Sequence, residues 1–164
     1  MPIRIRRADD LAGCVAMLRR VHEVSGYPAR WPDDPAGWLC PPGLMTAWVA
    51  EQDGLVVGHV GLVRGVQADC LLRATGRQAS ELAGVVRLFT DPAARRTGQG
   101  RELLRTAAAH AASGHLMAVL DVVEDARGAI ALYEQSGWLL AGRERATWSM
   151  PSGRRPILRY YVRP

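Results

Sequence analysis

Apolar positions recur along this chain with two periods. Ile3 and Ile5 alternate with arginines, the two-residue period of a short strand. Asp9 is a helix N-cap residue type, and Leu11, Val15, Leu18 and His22 follow it at helical spacing. An amphipathic helix is therefore predicted over residues 10–24. Gly26, Pro28, Pro32, Pro35, Pro41 and Pro42 punctuate the next stretch, which also holds Tyr27, Trp31 and Trp38. It reads as irregular, with a short helix near 34–39. Residues 46–51 and 55–64 are apolar and rich in β-branched or aromatic residues, and Asp53-Gly54 between them signals a hairpin. Residues 66–80 are polar and mixed and read as a loop.

The second half alternates strands and helices. Residues 83–90 are strand-like and stop at Asp91-Pro92. A helix is predicted over 98–113, with Leu103, Leu104, Ala107, Ala108 and Ala111 on its apolar face. Residues 116–123 suit a buried strand. Ala126, Ala129, Ile130 and Tyr133 share one face of a helix over 126–136, which Gly137 ends in the C′ position. Strands over 138–149 and 157–163 complete the chain, and Trp48, Trp138 and Trp148 fall on predicted strands as core or sheet-face residues. The order β-α-irregular-β-β-β-α-β-α-β-β predicts one α/β domain over 1–164, its mixed sheet built from hairpins and strand–helix–strand crossovers.

Composition narrows this picture. Of 164 residues 48% are hydrophobic and 23% charged, which allows a core and argues against global disorder. No apolar run approaches the roughly 20 residues of a spanning helix. The charged, alternating N-terminus does not read as a signal peptide, so a cytoplasmic protein is expected. Cys14, Cys40 and Cys70 are odd in number and form no C-x-x-C, the pattern of reduced thiols. His22, His59, His110 and His115 lack metal-ligand spacing and read as rings at the surface or core edge, so no metal is expected. All 21 basic residues are arginine, and the chain has no asparagine. The net charge of +5 favours anionic ligands, but the arginines are scattered and no aromatic-plus-basic motif occurs. Neither nucleic acid nor membrane is an expected partner.

The segment from Leu88 to Arg101 carries the most chemistry. It joins a predicted strand to a predicted helix. Gly98 and Gly100 let a ligand approach the main chain, and the first helical turn offers unpaired N–H groups and a positive dipole end. A diphosphate can accept hydrogen bonds from amides around 96–101. A P-loop fits less well because the chain has no lysine, and so does a Rossmann fingerprint because position 103 is leucine.

Arg95, Gly98 and Gly100 spell R-x-x-G-x-G. This resembles the acetyl-CoA loop of the GNAT superfamily of N-acetyltransferases, and Phe89-Thr90-Asp91-Pro92 resembles the strand end before it. Ala129, Leu132, Tyr133, Glu134 and Gly137, with Trp138 for the usual phenylalanine, resemble that family's A-x-x-L-Y-E-x-x-G-F helix. The close resemblance covers about a third of the chain, and the first 80 residues agree only in coarse pattern. One departure is Ala126, where the family often has an asparagine on the pantetheine arm.

The resemblance implies a GNAT-like α/β (α+β) fold. Its sheet is seven-stranded, mixed and mostly antiparallel, with splayed central parallel strands and about four flanking helices. It implies acetyl-CoA as cosubstrate, an amine acceptor attacking directly with both substrates bound, and dimers as a frequent assembly. The main chain of Leu88, Phe89 and Thr90 is expected to hold the pantetheine arm and polarise the thioester. The diphosphate falls to Arg95, Arg96, Thr97, Gly98, Gln99, Gly100 and Arg101. Tyr133 stands at the family's acid position, or packs its ring under CoA. Glu81 stands where the family often carries a carboxylate, with Glu124 and Asp121 as alternatives and a solvated loop glutamate as the plain reading. Tyr27 and Trp31, with Trp38, form an acceptor wall or pin a Pro-rich loop to the core. A CoA-binding module with little turnover, and an interaction domain without an acyl-CoA site, are the rival readings.

Overall fold

Asp53 and Gly54 turn the chain with φ of 52° and 77°, two consecutive left-handed residues as a type I′ hairpin requires. They join β2 (Leu44–Gln52) to β3 (Leu55–Arg64), which pair antiparallel from Gln52↔Leu55 outward, and β1 (Ile3–Ile5) adds to the free side of β2. The computed structural model describes residues 2–164, and Met1 lies outside them. Beyond the hairpin the sheet continues with β4 (Leu82–Thr90), β5 (Met117–Val123), β6 (Leu139–Arg145) and β7 (Ile157–Arg163). The order of the seven strands is β1-β2-β3-β4-β5-β7-β6. Helices α1 (Leu11–Ser25), α2 (Pro35–Trp38), α3 (Asp69–Thr75), α4 (Gln99–Ser113) and α5 (Arg127–Gln135) connect them. Strand β4 pairs β5 in parallel, through Leu82–Gly84 against Met117–Val119, whereas β5–β7 and β6–β7 are antiparallel.

The chain divides into two compact units. One comprises residues through Val63 together with Val85–Ala107, the other Arg64–Gly84 with Ala108–Pro164. In the first, α1 buries Cys14, Met17, Leu18 and Val21 against Leu39, Val49 and Phe89, with Leu11, Val15, Trp31, Trp38 and Val56 packed around them. Helix α4 lies so close to β3 that a Cβ on Gly58 would meet Leu103 Cδ1 at 2.7 Å. In the second, Leu71, Leu82 and Val119 form a core flanked by Leu72, Met117, Tyr160 and Val162.

Three expectations change. The N-cap of α1 is Asp10, not Asp9, which belongs to a 3-10 turn over Ala8–Asp10. The Asp10 carboxylate turns back instead, accepting from Arg7 N at 2.6 Å and from both Arg4 amines at 2.8 and 2.9 Å, and this pairing holds its pKa at about 2. Residues 66–80 contain α3, a fifth helix. Its seven residues are too few for periodicity to reveal, and it forms by burying Cys70 and Leu71, so closely that a Cβ on Gly142 of β6 would collide with Cys70 Sγ. Trp148 lies beyond the end of β6 and is exposed, while Trp48 in β2 and Trp138 just before β6 are buried.

Candidate active site

In the first unit, β4 ends at Thr90 and the chain bends into α4 through residues 91–98. Asp91 anchors the bend. Its amide donates to Val57 O of β3 at 2.9 Å, and its carboxylate caps a 3-10 turn by accepting from Ala93 N at 2.9 Å. Arg20 of α1 donates to the same carboxylate at 3.0 Å (Nε) and 2.5 Å (Nη2). Burial opposes the charge on Asp91, but these bonds prevail and its pKa lies below the usual carboxylate value. Thr97 Oγ1 then donates to Ala94 O at 2.6 Å.

From Arg96 to Gln99 the sign of φ alternates, with Arg96 at 63° and Gly98 at 84°. That alternation is the backbone pattern of amide-lined anion nests. A Cβ on Gly98 would meet nothing within 4 Å, so the bend is open at that point. The first amide of the region bound within α4 is that of Glu102, donating to Gly98 O at 3.1 Å. The amides before it lie at the positive end of a 15-residue helix, with Arg95, Arg96 and Arg101 exposed around them. Gln99 differs from its neighbours. The residue is only 6% exposed, and among the described residues its Oε1 has no hydrogen-bond partner.

Just before the bend, Arg87 sits at φ 54° inside β4. Phe89 is buried, stacked on His59 at 5.1 Å between centroids and approached by Tyr27 at 6.3 Å.

In the second unit, Tyr133 of α5 is 8% exposed and packs against Trp138 and Tyr161, at 6.3 and 6.0 Å between centroids. Gly137, at φ 84°, turns the chain so that Trp138 N donates to Tyr133 O at 3.0 Å. The motif glycine and tryptophan thus serve the packing of the tyrosine they follow.

The model of the acetyltransferase (GNAT) family matches residues 9–138. The chain belongs to this family. Solved structures give the same fold. The ribosomal-protein-alanine N-acetyltransferase of Brucella melitensis aligns with a TM-score of 0.77 at 21% identity, over 99% of both chains. The ribosomal-protein-S18-alanine N-acetyltransferase of Escherichia coli gives 0.73 at 19% identity, over 99% of this chain and 92% of that one. Arabidopsis thaliana NAA60, solved in complex with acetyl-CoA, gives 0.75 at 15% identity, over 99% of this chain and 97% of that one. No curated protein matches the sequence.

In this GNAT-family acetyltransferase the three candidate carboxylates stand in different surroundings. Glu81 closes the 3-10 turn over Ala79–Glu81, its Oε2 accepting from Gln78 N at 2.8 Å. Glu124 is taken up by arginines, accepting from Arg143 at 2.8 and 2.9 Å and from Arg159 at 3.1 Å. The Arg143 bonds, with those of Arg159, hold its pKa below the usual value, which suits a structural anion better than a base. Asp121 is exposed on β5. Ala126 is the N-cap of α5, where no side chain caps the helix.

The aromatic residues separate into two groups. Trp31 packs on α1, 5.4 Å from His22 with Arg19 over its ring at 4.6 Å. Tyr27 instead meets Trp38 at 5.9 Å, and Arg87 lies over the Trp38 ring at 3.9 Å. Each tryptophan already carries a guanidinium of its own chain and packs against the core, so pinning the Pro-rich segment is a role the geometry accounts for.

His59, Arg6 and Arg20 were not legible as site residues. His59 is in the core at 0% exposure, not at its edge. The only local signal is a histidine between Gly58 and Val60 in an otherwise apolar strand. Among the described residues no three His, Cys, Asp or Glu side chains gather as a metal site, and no helix is long and apolar enough to cross a membrane.

Proposed function

We propose that this chain is a single GNAT domain over residues 1–164 that moves the acetyl group of acetyl-CoA to a primary amine by direct attack in a ternary complex. The observation that carries the reading is the open bend before α4, with its alternating φ and three exposed arginines at a helix N-terminus. Arg95, Arg96, Thr97, Gly98, Gln99, Gly100 and Arg101 hold the diphosphate there. Main-chain groups of Leu88, Phe89 and Thr90 hold the pantetheine arm and polarise the thioester carbonyl.

The amine nitrogen attacks the carbonyl carbon and the C–S bond breaks. The departing thiolate takes the phenolic proton of Tyr133, and the ammonium proton passes to a carboxylate. Glu81 is that carboxylate in our reading, with Oε1 as its second acceptor while Oε2 caps the turn. Tyr27 and Trp31 line the approach of the acceptor.

A thiol-release assay with acetyl-CoA over a panel of amines tests the proposal. Turnover with at least one amine is expected, and CoA binding without turnover would favour a regulatory module, the reading that the uncapped Ala126 supports. Tyr133→Phe should lower kcat by ~100-fold while changing CoA affinity by less than ~5-fold. An equal loss in both would make the ring a binding surface and not an acid.

A further inference from the structure

Arg87 holds a left-handed φ of 54° inside β4, a conformation that a non-glycine residue keeps only where its surroundings impose it. The surroundings here are specific. Arg87 Nε donates to Trp38 O at 3.0 Å. Its carbonyl lies 2.8 Å from His59 Nδ1, and His59 Nε2 lies 2.9 Å from Arg6 Nη1. A guanidinium has only donors, so Nε2 must accept and the ring proton must sit on Nδ1, where it donates to Arg87 O. Arg6 is itself held, donating through Nη1 to Leu39 O at 2.7 Å. The imidazole is fully buried and stacked on Phe89. One tautomer of one ring therefore grips the peptide between Arg87 and Leu88.

That peptide is trans and planar, so its C=O and N–H point in opposite directions. Drawing the Arg87 carbonyl toward β3 aims the Leu88 amide away from β3. We propose that His59, set in its tautomer by Arg6, is a positioning residue for acyl transfer that orients the Leu88 N–H as a donor to the thioester carbonyl. This rests on the acetyl-CoA reading of the preceding subsection. His59 itself touches neither substrate. Its effect passes through the peptide it holds, so it should govern the chemical step more than binding.

His59→Asn and His59→Leu form a matched pair. The Asn amide nitrogen overlies Nδ1 and keeps the donor to Arg87 O, while Leu has similar size and no donor. Acetyl-CoA turnover is measured at temperatures where each variant is folded, with CoA binding by calorimetry alongside. We expect His59→Leu to lose ~10–100-fold in kcat with KM for acetyl-CoA within ~3-fold of the parent, and His59→Asn to stay within ~5-fold in both. Arg6→Met, which frees the tautomer, should lose ~3–10-fold in kcat and carries the test if His59→Leu does not fold. A parent that neither binds nor turns over acetyl-CoA would sink the acyl-transfer reading and this one with it. An active parent whose Leu and Asn variants share the same kcat, or whose Arg6→Met variant matches it where that variant carries the test, would overturn the positioning role alone.

Discussion

The bend before α4 and the start of α5 both lead a strand of this sheet into a helix, yet they are built differently. The bend is held from outside its own sequence. Asp91 reaches Val57 of β3 and Arg20 of α1, and the loop beyond it runs through residues of alternating φ to open amides. The start of α5 has no such anchor. Ala126 occupies the N-cap without a capping side chain, and the carboxylates of Glu124 and Asp125 are bound to Arg143, Arg159 and Arg154 on the surface. A backbone that is to receive an anion must be rigid before the anion arrives, and part-buried polar bonds at Asp91 hold the bend. The α5 start is held by solvent-facing ion pairs, which contribute little each.

The sharpest way to test this contrast is Gly98→Glu. The position is left-handed and open, so backbone strain should cost only ~1–2 kcal/mol of stability, read by urea unfolding. Bulk and negative charge at the bend should weaken acetyl-CoA binding by more than ~100-fold in calorimetry. Unchanged affinity would place the diphosphate elsewhere.

Acid should distinguish the surroundings of His59 from those of Glu124. Burial, against the help of the Arg87 carbonyl, pushes the His59 pKa down from 6.5 to about 4. The folded state then binds its proton later than the unfolded chain. Stability from this group is complete above pH 6.5 and is lost as pH falls toward 4, a loss on the order of 3 kcal/mol at ~1.4 kcal/mol per unit. Glu124, depressed below its usual 4.5, contributes above that pH and loses its contribution only as pH falls further. Hydrogen exchange at pH 5 should therefore show amides around His59 deprotected relative to pH 7, with those around Glu124 unchanged.

Two smaller substitutions act in opposite directions. Asp91→Ala removes the cap of the 3-10 turn and strands Arg20, and should cost ~1–2 kcal/mol in urea unfolding. Ala126→Asn supplies the missing cap and should add ~0.5–1 kcal/mol. If Asp91→Ala proves neutral, the bend is not anchored as described.

The elements that were readable in advance share a physical cause. Asp53-Gly54, Gly98 and Gly137 adopt positive φ, and glycine or aspartate at such positions marks a turn from local sequence alone. Strand β7 over Ile157–Arg163 is expected at these bounds because a short run rich in apolar and aromatic residues favours a strand from local sequence. Helix α3 was missed because seven residues span barely two turns and its stability comes from packing on β6. The arginines show the same divide. Their number was plain, but Arg4, Arg6, Arg20 and Arg87 acquire their partners only across strands and helices.

By itself, then, the chain's sequence determined where strands and helices alternate, which bend offers bare amides, and which family's motifs surround that bend. These depend on backbone preference and short-range spacing, which neighbouring residues decide among themselves. Only the tertiary structure decided that Asp91 is held by Arg20, that Glu124 is consumed by arginines, and that a core histidine grips the Arg87 carbonyl in one tautomer. Those pairings join residues 19 to 71 positions apart, and which donor reaches which acceptor is settled by how the elements pack.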